Sequence, residues 1–226
     1  LYFSDTWSSY KNLCYGIKEL HQLIMVYFIK RFIVWLRRVR YSRGFGVQSP
    51  WAYRFIRYVV NEHYPYYKYE HLAEQVYGID KTTRKLCKFY FRLANYQQTH
   101  TFVDCYPTSS CYKIYVDAGC QKVNYHRITE STSEEELIRL FSNIGEYSML
   151  RVPLVANYRT VVDKALDHLP SSSVLIIENI KRDKETQKYW SELISDSRTG
   201  VSFDLYYCGV LFLNNDMVKQ SYIVNF

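Results

Sequence analysis

Two acids in this chain stand where apolar runs stop, and that placement gives them chemical interest. Val174-Leu175-Ile176-Ile177 is a run of aliphatic, mostly β-branched residues with no polar alternation, as in a strand buried on both faces, and Glu178-Asn179 follows at once. Asp104 likewise closes the β-rich stretch Thr101-Phe102-Val103. In an open α/β sheet, ligands bind in the crevice outside the carboxyl ends of the strands, so an acid at a strand end is placed to face one. Other chemistry has less support. His63, His71, His100, His126 and His168 are scattered without metal-pair spacing, and His21 lies in a basic segment. Cys14, Cys87, Cys105, Cys111, Cys120 and Cys208 show no C-x-x-C, which favours reduced core thiols over a metal knuckle or a disulfide framework. The chain contains neither a G-x-S-x-G elbow nor a G-x-x-x-x-G-K-[ST] loop.

The elements that must position these acids follow from the periodicity. Strands are predicted near 100–105, 122–127, 148–155, 173–179, 201–208, 209–213 and 220–226. Helices fit near 17–40, from Ser49-Pro50 through Val60, and near 68–77, 82–95, 109–118, 133–143, 158–168 and 183–196. Glu134-Glu135-Glu136 after Ser131-Thr132-Ser133 reads as a capped helix start. Strands alternating with helices predict a mostly parallel sheet covered on both faces, and the closely spaced last three strands predict an antiparallel C-terminal edge. At 226 residues and 48% hydrophobic content, one domain with an N-terminal extension is the economical arrangement. We divide it as a basic helical extension (1–42), a helical lead-in (43–98) and a Rossmann-like domain (99–226). No secretory signal is read at the start, and a cytoplasmic protein is expected.

Several segments carry a family resemblance. Ser173 to Ile180, Lys184 to Trp190 and Val201 to Leu213 resemble the C-terminal half of class I S-adenosylmethionine-dependent methyltransferases, in a Bacteroidetes-type branch similar to the catechol O-methyltransferases. Upstream, Arg43-Gly44-Phe45-Gly46-Val47-Gln48-Ser49-Pro50-Trp51 resembles that branch's H-G-x-H-S-P-F segment, and Phe91-Arg92-Leu93-Ala94-Asn95-Tyr96 its F-R-L-x-N-Y helix end. The resemblance implies a Rossmann-like methyltransferase sheet, with Asp104, Tyr106, Thr108 and Ser110 forming the cofactor loop. It also implies Glu178 and Asn179 near the acceptor, where relatives hold magnesium.

The sequence departs from the family at that crevice. The family's E-L-G-x-S-x-G reads Asp104-Cys105-Tyr106-Pro107-Thr108-Ser109-Ser110 here, with Tyr106 and Ser110 in place of the glycines that let a backbone approach a cofactor. No carboxylate ends the second strand near Tyr125 to Ile128, and the interval from His126 to Met149 has room for one helix, so the third strand is expected to be reduced or lost. Val155-Ala156-Asn157-Tyr158-Arg159 stands for D-G-N-H-R and lacks its acid, which leaves Glu178 and Asn179 a poor site for a hard cation. The expectation is a degenerate, non-catalytic methyltransferase-like protein with neither metal nor cofactor. The alternative is an active O-methyltransferase on a small molecule, using S-adenosylmethionine.

The net charge of +7 is concentrated. Lys30, Arg31, Arg37, Arg38, Arg40 and Arg43 stand together with no acid among them, beside the apolar runs 23–29 and 32–36. The segment is too short and too interrupted for the ~20 apolar residues of a membrane span. The favoured expectation is a helix docked on its own domain or on a second subunit. An in-plane anchor through residues 23–43 on an anionic inner-membrane surface is the alternative. Tyr64, Tyr66, Tyr67 and Tyr69 read as packing residues, and no recognition motif supports nucleic-acid binding.

Overall fold

The computed structural model describes residues 25, 26, 28, 29, 31–214 and 216–226. Cys14 and the first part of the expected leading helix, with His21 and Lys30, lie outside the described residues. Helix runs through 31–38 and tightens into a 3-10 turn over Val39–Gly44. Gly44 and Gly46 then turn the chain with φ of +76° and +78°, a conformation glycine adopts without a Cβ penalty.

Four helical pieces lead into the sheet. Helix α1 (Pro50–Phe55) has proline in its first turn and Ser49 as cap, accepting the Ala52 N–H at 3.3 Å; a π-helical turn, Ile56–Val60, continues it. Helix α2 (Lys68–Gln75) follows, and α3 (Lys81–Gln97) starts at Asp80, which accepts from the Thr82 and Thr83 N–H groups at 2.7 and 3.1 Å.

Strand β1 (Thr101–Cys105), helix α4 (Cys111–Gly119), strand β2 (Asn124–Ile128), helix α5 (Glu134–Asn143), strand β3 (Ser148–Pro153), helix α6 (Tyr158–His168), strand β4 (Val174–Glu178) and helix α7 (Lys184–Ser195) then alternate. Strands β5 (Ser202–Asp204), β6 (Cys208–Phe212) and β7 (Ser221–Ile223) complete a seven-stranded sheet of order β2-β1-β3-β4-β6-β5-β7. Strand β6 runs antiparallel to β4 and β5, and every other pairing is parallel. The expected α/β fold with an antiparallel element at the C-terminal edge is therefore present. The predicted 201–208 strand is shorter than expected: the chain turns at Leu205 to Tyr207, and Cys208 already belongs to β6.

Between β2 and β3 there is one helix and no strand. Ser133 and Glu136 form the capping box read from the sequence, with reciprocal bonds of 3.2 and 2.8 Å. The sheet thus ends at β2, where a third strand would otherwise lie, and Asn124, His126 and Arg127 face solvent.

Two apolar layers sandwich the sheet. Phe55, Phe89, Tyr115, Phe102, Met149, Ile176 and Phe203 belong to the first, under α1, α3 and α4. Phe141, Val162, Trp190, Val103, Leu150, Ile177 and Leu211 belong to the second, under α5, α6 and α7. Trp190 lies directly over Gly209 of β6, where a Cβ would come within 2.2 Å of the indole.

The leading helix does not share in this core. Phe28, Phe32, Trp35 and Leu36 are 58, 61, 50 and 55% exposed, which corrects the expectation that they dock on the chain's own domain. Arg38 holds the segment: it is buried, pairs with Asp204 Oδ1 at 3.0 Å and donates to the Val224 carbonyl at 2.9 Å. No helix among the described residues is long and apolar enough to cross a membrane.

Candidate functional site

From β1 the chain passes outward to β2 and then back to β3 on β1's other side, so the topological switch lies between β1 and β3. Register decides what meets there. Asp104 of β1 is directly opposite Arg151 of β3, and Glu178 of β4 is opposite Pro153, two residues beyond Arg151. Because strand side chains alternate, Asp104, Arg151 and Glu178 share the face covered by α3 and α4.

Arg151 joins both acids. Its Nη1 donates to Asp104 Oδ1 and its Nη2 to Glu178 Oε2, each at 2.7 Å, and Nη1 also reaches the Cys105 carbonyl at 3.3 Å. Tyr90 of α3 donates its hydroxyl to Glu178 Oε1 at 2.5 Å, while the Tyr125 hydroxyl lies 3.5 Å from Asp104 Oδ2. The guanidinium stands 4.3 Å from the ring centre of Tyr112 in α4. The three charged side chains are 7, 0 and 7% exposed for Arg151, Asp104 and Glu178, so two aromatic rings seal the cluster from above.

The electrostatics follow from that burial. Desolvation raises the Asp104 carboxyl above its ordinary value, although Arg151 opposes the shift. Burial also pushes Tyr90 and Tyr112 upward, which keeps both hydroxyls protonated. Burial disfavours the charge on Arg151, but Glu178 and Asp104 outweigh it and raise its pKa further. Beside the cluster, Cys111 opens α4. Hydrogen bonding from Cys87 outweighs burial there and, with Ser109 Oγ at 3.0 Å and the charge of Arg151, holds the thiol down at about 6. Cys111 is nonetheless buried, 2% exposed, and so shielded from solvent.

The sequence-derived site residues separate. Asp104 and Glu178 come together through Arg151, whereas Thr108, Ser110 and Asn179 are exposed. Tyr106 and Ala156, at two glycine positions of the resemblance, have φ of +50° and +51°, so the backbone keeps the turns while the side chains differ. The Tyr106 ring is half-buried against the second apolar layer, away from Tyr90 and Tyr112. Among the described residues no group of three or more His, Cys, Asp or Glu side chains could hold a metal ion. Sequence reasoning missed Arg151, Tyr90 and Tyr112. The available signal was Arg151 itself: one charge within Ser148-Met149-Leu150-Arg151-Val152-Pro153, an otherwise apolar strand, requires buried partners.

Comparison with known proteins adds little chemistry. No protein-family model and no curated protein matches the chain. Among solved structures it is similar to the MycE methyltransferase of the mycinamycin biosynthetic pathway, solved with Mg and SAH (10% identity, 66% of this chain and 50% of that one, TM-score 0.47). It is also similar to the SAH-bound methyltransferase PaMTH1 of Podospora anserina (12% identity, 63% of this chain and 83% of that one, TM-score 0.41). A third likeness is to the aspartate aminotransferase of Rhizobium meliloti (10% identity, 56% of this chain and 39% of that one, TM-score 0.27). The chain spans half the length of MycE. Likenesses at this level say nothing about chemistry, and the fold class rests on the strand order itself.

Proposed function

We propose that this chain is a methyltransferase-like protein that does not transfer methyl groups and acts through its surfaces, by binding or scaffolding. The observation that carries this reading is the Arg151 guanidinium bonded at 2.7 Å to both Asp104 and Glu178. Those acids are the ones the sheet would offer to a cofactor and an acceptor, and Arg151 satisfies them from within. A nucleoside held on Asp104 would have to displace a buried, aromatic-capped ion pair, so the residues present do not fit S-adenosylmethionine. Glu178 and Asn179 do not converge on one point either, since the first is buried and the second exposed. The test is calorimetric titration with S-adenosylmethionine and S-adenosylhomocysteine, with and without magnesium. The expected result is no saturable heat. Micromolar binding would restore the alternative of an active O-methyltransferase, with Asp104 on the cofactor and Glu178 and Asn179 near the acceptor.

A second reading concerns the leading helix, and the exposure of Phe28, Phe32, Trp35 and Leu36 beside Arg31, Arg37 and Arg40 favours it. Apolar side chains flanked by arginines suit the headgroup region of an anionic membrane, with the helix lying in its plane. Sedimentation with anionic vesicles, weakened by salt and absent with neutral ones, is the expected outcome. Failure to sediment would leave a second copy or another protein as the partner of this face.

A further inference from the structure

A cavity lies away from the sheet crevice, between the loop 61–67, α2, one face of α3 and the last residues described. Its volume is about 880 Å³, within the range of small-molecule sites. Arg84, Lys85, Lys88 and Arg92 recur along α3 so that one helix face presents four cations to it.

Arg92 is committed to the wall. It donates to the Val59 carbonyl at 2.6 Å, the Val60 carbonyl at 3.1 Å and the Tyr69 hydroxyl at 3.3 Å, fixing the start of the tyrosine-bearing loop. Arg84, Lys85 and Lys88 form no ion pair among the described residues. Instead the Lys85 ammonium lies 4.2 Å from the Phe226 ring centre and that of Lys88 4.8 Å from Tyr69, each against a ring face. Two acids, Glu62 and Glu70, also line the space, and Glu62 accepts the Tyr64 N–H at 2.6 Å.

The two lysines lack a counter-anion among the described residues: burial first, then the charges of Arg31 and Arg92, lower the pKa of Lys85 to about 8. On the other side Trp35, Tyr64 and Tyr66 supply ring faces and edges, with Tyr64 and Tyr66 at 5.3 Å in an edge arrangement.

We propose that this cavity binds a small aromatic anion, an aryl ring bearing a phosphate or carboxylate. The anion sits on Lys85 and Lys88, and the ring lies among Trp35, Tyr64 and Tyr66. A single-stranded nucleic acid uses similar residue types, but the bounded volume and the two lining acids favour a discrete anion over a continuous polyphosphate chain.

Calorimetry of the full chain with 1-naphthyl phosphate tests the idea, with inorganic phosphate, 1-naphthol and an oligothymidylate as separate arms. The expected result is saturable one-to-one binding of 1-naphthyl phosphate, with phosphate and 1-naphthol each weaker by about tenfold or more. Lys85→Gln with Lys88→Gln should weaken binding by at least about tenfold while leaving the circular dichroism spectrum unchanged. Glu62→Gln, which keeps the acceptor for Tyr64 N–H and removes a repelling charge, should tighten binding by about threefold. A misfolded protein would not show that gain. Absence of saturation, equal affinity for phosphate alone, insensitivity to both substitutions, or preference for the oligothymidylate would each overturn the proposal.

Discussion

Replacing Arg151 with methionine should be among the most damaging single changes in the chain, and its damage should depend on pH in a defined direction. The substitution keeps an unbranched apolar side chain on β3 but removes the guanidinium over Tyr112 and leaves Asp104 and Glu178, 0 and 7% exposed, without their shared counter-ion. Breaking a buried pair from one side costs about 3–5 kcal/mol, because the remaining charge is uncompensated. With a urea dependence of about 2–3 kcal/mol/M, that is a fall of roughly 1–2.5 M in the unfolding midpoint. The parent Asp104 is already raised by burial, so its contribution to stability is present below the unfolded carboxylate range and lost as pH rises through the folded value. Removing the guanidinium raises it further and widens that loss. Urea titrations followed by tryptophan fluorescence should therefore show the gap between parent and variant narrowing from pH 7.5 to pH 5. The triple variant Arg151→Met, Asp104→Asn, Glu178→Gln should recover most of the midpoint at pH 7.5, since no charge remains buried. A loss below about 1 kcal/mol, or one as large at pH 5 as at pH 7.5, would refute the account of Arg151 as the internal counter-ion of both acids.

Three further outcomes are expected. Gly209→Ala should destabilise by about 3 kcal/mol or fail to yield soluble protein, because its Cβ would fall 2.2 Å from the Trp190 ring; thermal unfolding checks this. Ala156→Gly should leave stability unchanged or raise it by up to about 1 kcal/mol, since relief of a +51° φ opposes the added freedom of the unfolded chain; urea midpoints decide it. Arg38→Met removes the bonds that join the leading segment to Asp204 and Val224, so limited proteolysis should cut before residue 45 faster than in the parent, with the far-ultraviolet spectrum of the sheet domain retained.

The fold was legible wherever its signals are local. Val174 to Ile177 announced a doubly buried strand, Ser49-Pro50 and Ser133 with Glu136 marked helix starts, and the short interval from His126 to Met149 left no room for a third strand. The candidate site was half legible, since Asp104 and Glu178 end their strands as read. What they face was hidden because it depends on the register of β1, β3 and β4 and on Tyr90 of helix α3, 88 residues before the Glu178 it bonds. The leading helix misled for a related reason: its apolar content requires cover in water, and no local pattern says whose surface supplies it.

The rim at β2 records a division of labour between hydrogen bonding and solubility. A strand that loses its outer neighbour keeps a row of unsatisfied N–H and C=O groups, a template on which another chain can polymerise. Here Asn124-Tyr125-His126-Arg127 replaces the aliphatic run found in β4, and only Ile128 is buried. Charge and hydration along this strand raise the cost of recruiting a foreign strand. A designer who wished to reinstate the outer strand would have to insert a segment between Ile128 and Ser148 and, in the same step, rewrite β2 as an interior strand.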